Sequence, residues 1–201
     1  MHYANAIETL LNWSRQGRVI FTRNELRLLF PDDGDAAFKA GVDRLVVRGV
    51  LHRISRGVFV FALAERGDPY MLERIAALLR RGAYSYLSLE SALSEYGVIS
   101  QVPLAGITVM TTGRAGMFHT PYGRIEFTHT KRGAADILDR TRDVGRPLRL
   151  ATPEAAARDL RRVGRNVHLI DPEVLEEVMA LDAEADEPIA ELADEVMADG
   201  R

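Results

Sequence analysis

Val50-Leu51-His52-Arg53-Ile54-Ser55-Arg56-Gly57-Val58-Phe59-Val60-Phe61-Ala62 holds two β-rich runs, 50–54 and 58–62, joined by three residues in which Gly57 supplies the positive φ of a tight hairpin. Immediately upstream, Phe38, Val42, Leu45 and Val46 recur at helical spacing, with Asp35 as the expected cap and Gly49 as the stop. Further back, Thr22-Arg23-Asn24-Glu25 has the S/T-x-x-E form of a capping box, and the helix it opens carries Leu26, Leu29 and Phe30 before Pro31 ends it. Asp32-Asp33-Gly34 is turn chemistry, Val19-Ile20-Phe21 is a short extended run, and Ile7, Leu10 and Leu11 mark a first helix that closes at Gln16-Gly17. Helix, helix, helix and hairpin is the order of a winged helix-turn-helix, here over residues 1–64.

In that arrangement the third helix enters the major groove of DNA and the hairpin lies along the adjacent backbone. The expected DNA-binding residues are therefore Lys39, Arg44 and Arg48, which lie off the apolar stripe of the third helix, and Arg53 and Arg56 on the hairpin. Lys39 and Arg44 are assigned to groove contacts, Arg53 and Arg56 to phosphates. Asp43 on the same helix counts against tight phosphate contact there, and the alternative is a winged helix that binds protein.

A polar break at Ala64-Glu65-Arg66-Gly67-Asp68-Pro69 separates this unit from a second, residues 69–201. Its expected elements begin with a helix from Tyr70 to Arg81 and a second helix capped by Ser88 that packs Leu89, Ala92, Leu93 and Tyr96. Strands over 106–112, 117–119 and 122–130 follow, read most simply as a three-stranded antiparallel meander. A helix opens at Thr152-Pro153 and another at Asp171-Pro172, each with proline at its first position. After Pro188, Ile189, Leu192, Ala193, Val196 and Met197 form one face of a final amphipathic helix. The fold class is α+β: a winged helix followed by a mixed domain with a small antiparallel sheet and C-terminal helices.

Composition narrows the function classes. The 201 residues are 47% hydrophobic and 27% charged, enough to bury a substantial core. Zero cysteines remove disulfides, thiolate nucleophiles and cysteine-ligated metal sites together. The longest apolar stretch, Val58 to Ala64, is far short of a membrane span, and Asn5, Glu8 and Arg15 interrupt any signal-peptide core, so a cytoplasmic protein with no membrane partner is expected. The net charge of -3 hides a strong division. Residues 1–66 hold 10 Lys and Arg against 7 Asp and Glu, residues 67–165 hold 15 against 10, and residues 166–201 hold 1 against 12. A basic body gains affinity for polyanions by releasing their counterions. The acidic end points to a basic partner, to docking, or to a mask over the basic body, with Arg158, Arg161, Arg162 and Arg165 as a run it could face.

Catalytic signatures do not assemble. The histidines, His2, His52, His119, His129 and His168, are scattered, and Glu126 and His129 point to opposite faces of a regular strand, so no metal ligand set is expected. Ser85, Ser88 and Ser91 lack a nucleophile-elbow setting, and Gly113-Arg114-Ala115-Gly116 lacks the spacing and lysine of a phosphate loop. No catalytic residue, metal or cofactor is assigned. Arg124, Lys131 and Arg132, with Arg140 and Arg142 nearby, form the expected second surface for nucleic acid or a partner.

Four segments in this order resemble the AbiEi antitoxins of bacterial toxin–antitoxin systems: Arg53-Ile54-Ser55-Arg56-Gly57-Val58-Phe59, Tyr86-Leu87-Ser88-Leu89-Glu90-Ser91-Ala92-Leu93, Gly123-Arg124-Ile125-Glu126-Phe127 and Ala151-Thr152-Pro153-Glu154-Ala155-Ala156. The resemblance spans about residues 5–165 and implies a phage-defence protein that binds its own promoter as an autorepressor, with a dimer on paired half-sites as one arrangement. Its second domain would counteract a nucleotidyltransferase toxin. The other reading is a stand-alone winged-helix transcription regulator whose second domain senses a ligand or partner.

Overall fold

The computed structural model describes residues 2–64, 67–100 and 106–186. The N-terminal unit runs α1 (Tyr3–Arg15), β1 (Ile20–Thr22), α2 (Arg23–Leu29), α3 (Asp35–Val47), β2 (Leu51–Ser55) and β3 (Val58–Phe61). The order is that of a winged helix, with β3 central in a three-stranded antiparallel sheet, β1-β3-β2. The capping box forms: the Thr22 amide donates to Glu25 Oε2 at 2.7 Å and the Glu25 amide to Thr22 Oγ1 at 3.2 Å. Asp35 does not cap α3; Gly34 holds that position and Asp35 sits in the first turn.

All four residues of β3 are buried, because the sheet is covered on both faces. Phe59 and Phe61 join Leu10, Leu26, Phe38, Val42, Leu45 and Leu51 in the core of the three helices. Val58 and Val60, with Ile20 and Ile54, belong instead to the core of the second unit, beside Ile75, Leu87, Val109, Ile125 and Phe127. The wing is thus the middle layer of a continuous structure. At the seam, His52 Nδ1 lies 3.1 Å from the Tyr122 hydroxyl.

The second unit runs α4 (Met71–Leu79), β4 (Ser85–Leu87), α5 (Leu89–Glu95), β5 (Gly106–Thr111), β6 (Gly116–Thr120), β7 (Gly123–His129), α6 (Ala134–Asp139), β8 (Thr141–Arg142), β9 (Arg149–Ala151), α7 (Pro153–Val163), a 3-10 turn at Val167–Leu169 and α8 (Pro172–Asp186). Among the described residues its sheet has six strands in the order β6-β7-β5-β4-β9-β8. The antiparallel meander expected from the sequence is therefore replaced. β6 and β7 do form an antiparallel hairpin, but β7 lies parallel to β5, with Gly106 opposite Arg124 and Thr111 opposite His129. Burial explains the choice: β5 and β7 carry Val109, Met110, Ile125 and Phe127 and need interior places, whereas β6 exposes Met117 and His119 and suits an edge. Gly106 permits the pairing, since a Cβ there would stand 2.8 Å from the Arg124 carbonyl oxygen.

Thr152 caps α7 through the Ala155 amide with Pro153 at the first position, and Asp171 accepts from the Glu173 and Val174 amides at the start of α8. Ser88 does not cap α5. Leu89 takes a left-handed φ of 57°, and the Ser88 hydroxyl donates to Asp159 at 2.9 Å instead. Among the described residues no helix is long and apolar enough to cross a membrane. The amphipathic helix expected after Pro188 lies outside the described residues.

Candidate nucleic-acid interface

The capping box fixes the first turn of α2, and the Arg23 amide donates to the Gly57 carbonyl at 2.8 Å, fastening that turn to the hairpin tip. Gly57 has φ 94°, and its vacant Cβ position is 3.8 Å from Arg23 Cβ, so the tip folds closely against α2. Between this junction, α3 and the hairpin lies a groove of about 720 Å³, lined by Thr22, Arg23, Asn24, Lys39, Asp43, Arg53, Arg56, Gly57 and Phe59. A shallower depression of about 460 Å³ continues along α2, where Arg23, Arg27, Lys39 and Asp35 surround Phe38. The guanidinium groups of Arg23 and Arg27 stand 5.6 and 5.4 Å from the Phe38 ring centre, an arrangement that holds two neighbouring cations in place, with Arg27 also 3.7 Å from the exposed Asp35 carboxylate.

Four cations face one carboxylate in the main groove, and that carboxylate is engaged: Asp43 Oδ1 accepts from Arg53 Nη2 at 2.6 Å. Arg53 also lies over the Phe59 ring at 5.5 Å. Both partners of the pair are about half exposed, so water screens it and a phosphate can exchange for Asp43 at small cost. Guanidinium forks match phosphate oxygens bidentately, which suits this groove to a polyanionic backbone.

The structure brings Lys39, Arg53 and Arg56 together in the groove. Arg44 and Arg48 line neither depression; the Arg48 guanidinium covers the Tyr3 ring at 4.6 Å on the α1 side. Arg23, Asn24 and Arg27 were missed from the sequence. Their signal was position, in and just after the first turn of a capped second helix.

The expected second surface does not assemble. Arg124 and Lys131 are exposed at opposite ends of β7, roughly 20 Å apart at the rise of an extended strand. Arg132 turns inward: its Nη1 donates to Asp159 Oδ1 at 2.5 Å and to the Tyr86 hydroxyl at 2.9 Å. Asp159 is fully buried and also accepts from Tyr86 and Ser88, so Arg132 is part of the framework of this domain. Burial, reinforced by the Asp159 charge, pushes the Tyr86 phenol up to about 12. Arg140 is paired with Asp136, and Arg142 with Asp182.

Arg165 falls outside the basic run of α7. It follows the left-handed Gly164 cap and pairs with Glu90 and Glu126. Among the described residues no three histidine or acidic side chains converge as metal ligands. Glu126 is held by Arg165, and His129 Nδ1 lies 2.8 Å from the Gly113 carbonyl oxygen.

The fold and groove define a winged helix fused through its sheet to a mixed α+β domain. No family model matches the chain, and no curated protein matches it. Among solved structures, the crystal structure of the RV2827C protein from Mycobacterium tuberculosis is similar in fold, with a TM-score of 0.58 at 16% identity over 88% of this chain and 71% of that one.

Proposed function

We propose that this protein is a duplex-DNA-binding autorepressor that also serves as the antitoxin of a toxin–antitoxin pair, acting by binding and without catalysis of its own. The observation that supports the DNA half is the groove in which Arg23, Lys39, Arg53 and Arg56 converge between α3 and the hairpin. Lys39 on α3 reaches toward base edges, while Arg23 and Arg56, on the α2 junction and the hairpin tip, take the flanking phosphates. The antitoxin half rests on the four segments that resemble the AbiEi antitoxins, with a nucleotidyltransferase toxin as the partner in the cytoplasm.

A salt-titrated gel shift on the DNA upstream of its own gene, against scrambled DNA, tests the first half. Specific binding that weakens with salt is expected, and failure to bind at low salt overturns it. Co-expression with a neighbouring nucleotidyltransferase gene tests the second: growth is restored if the reading holds. A second reading, a regulator governed by a small ligand, is favoured by one feature. A cavity of about 410 Å³ at the seam is lined by His52, Phe61, Asp68, Met71, Pro121 and Tyr122, within the size range of ligand pockets.

A further inference from the structure

The rim of the large sheet where α4 ends, β5 turns toward β6 and β7 finishes gathers cations without a carboxylate. Arg80, at the end of α4, lays its guanidinium over Phe127 at 4.1 Å and Phe118 at 5.2 Å. Its Nε donates to the Arg114 carbonyl at 2.8 Å and its Nη1 to the Leu79 carbonyl at 3.0 Å. Arg80 Cδ lies 3.0 Å from where a Cβ on Gly113 would stand, so the 112–115 turn closes tightly over it.

Four further hydrogen bonds complete the rim. The Tyr84 amide donates to Thr112 Oγ1 at 3.1 Å and the Thr112 amide to the Tyr84 carbonyl at 2.9 Å. His129 meets the Gly113 carbonyl on the same turn, and the Thr130 amide donates to the Thr111 carbonyl at 2.8 Å, which brings Lys131 alongside. Arg81, Tyr84, Arg114, His129 and Lys131 are all exposed, Tyr84 by 52%.

Segments 79–89, 111–118 and 127–133, which build this rim, contain no aspartate or glutamate. Among the described residues none of Arg80, Arg81, Arg114 and Lys131 enters an ion pair. Elsewhere in this domain Arg132, Arg140, Arg142, Arg146 and Arg165 each have a carboxylate. Burial, followed by the neighbouring Arg114 charge, pulls the Arg80 pKa below the usual guanidinium value.

We propose that this rim is a second nucleic-acid site, distinct from the winged-helix groove, which takes a single-stranded segment with phosphates on Arg81, Arg114 and Lys131 and a base stacked on Tyr84. A single strand is favoured over a duplex because an exposed tyrosine stacks only on a base freed from its own stack. The rim also presents a turn and strand ends, with no helix or ribbon to enter a duplex groove. Arg80 is a positioning residue that holds the turn on which Arg114 stands.

The test uses the full chain carrying Arg23→Ala, Lys39→Ala, Arg53→Ala and Arg56→Ala, so that none of the four cations of the groove remains. Fluorescence anisotropy is read with labelled oligouridylate and oligothymidylate of about 20 nucleotides, long enough to span a site of ordinary size. Binding of either oligomer is expected. Adding Arg114→Ala and Lys131→Ala should weaken it by roughly tenfold and lower the salt slope by about 1.4, the value for two lost single-strand phosphate contacts. Tyr84→Ala should weaken it by at least about fivefold while Tyr84→Phe retains it. Absence of binding at low salt, indifference to these substitutions, or equal displacement by duplex DNA or polyglutamate would each overturn the proposal. The same rim variants in an intact groove background should leave operator binding unchanged, which keeps this result separate from the fate of the autorepressor reading.

Discussion

Replacing Arg132 with methionine distinguishes a framework residue from a surface contact. Asp159 has no exposed surface, the Arg132 side chain retains 15%, and the two meet at 2.5 Å. Methionine keeps most of the aliphatic stem but leaves a buried carboxylate with only the Tyr86 and Ser88 hydroxyls as donors. Deleting one partner of a buried ion pair costs about 3–5 kcal/mol, and the two remaining hydroxyls place this case near 3. For a chain of 201 residues that corresponds to a fall in Tm of roughly 6–12 °C, at about 2–4 °C per kcal/mol. Urea unfolding followed by circular dichroism, with a thermal scan beside it, measures the loss. Asp159→Asn in the Arg132→Met background removes the stranded charge while its amide oxygen still accepts a hydroxyl, and should recover about half of the deficit. A loss below about 1 kcal/mol, the value of a solvated surface pair, would refute the framework role and return Arg132 to the surface.

Arg23→Ala with Arg56→Ala should lower the salt slope of operator binding by about 1.8, the value for two duplex phosphate contacts; an unchanged slope in a gel shift would remove both residues from the interface. Thr22→Ala should cost about 1 kcal/mol by chemical denaturation and loosen the α2 junction with the hairpin, since it deletes the acceptor for the Glu25 amide. On the alkaline side, Tyr86 and Tyr96 are both pushed up to about 12, first by burial and then by Asp159 and Asp182 respectively, whereas the unfolded chain releases these protons near 10.0. The fold therefore favours the protonated phenols. Their contribution is whole below pH 10 and is lost as the pH climbs toward 12, so the urea midpoint should fall through that window and a flat midpoint would contradict the assignment.

The winged-helix unit was legible because its signals are local. A capping box, a glycine stop and a three-residue hairpin loop each act within a few residues, and α2, α3, β2 and β3 appear where those signals put them. The large sheet was less legible because strand order is a long-range property. The short turn after β5 implied pairing with β6, yet β7 takes that place because its buried Ile125 and Phe127 require an interior position. Among the residues of the groove and the depression beside it, Lys39, Arg53 and Arg56 are legible by phase on a helix and place on a hairpin, whereas Arg23 and Arg27 need the third dimension, where Phe38 gathers them. Arg132 was misplaced because Lys131-Arg132 reads as a basic surface pair. Only the fold shows that Asp159, 27 residues later, faces it from α7.

Val58-Phe59-Val60-Phe61 has no polar residue, whereas the wing of a free-standing winged helix would alternate, apolar toward its helices and polar toward water. The structure shows why: Phe59 and Phe61 serve the helical core, while Val58 and Val60, with Ile20 and Ile54, serve the core of the second unit. Parting the units would expose four buried aliphatic side chains at about 1.5–3 kcal/mol each, a sum comparable to the whole stability of a domain. The wing therefore cannot swing as an independent module. Arg53 and Phe59, on the strands, and Arg56, on the turn between them, line the groove beside Ile54, Val58 and Val60, which are fixed in the second core. Any adjustment of the hairpin to a DNA backbone must be accommodated by that core or by the His52–Tyr122 contact beside it, so a ligand that stiffens the seam and a duplex that needs the wing in one orientation act on a single shared element.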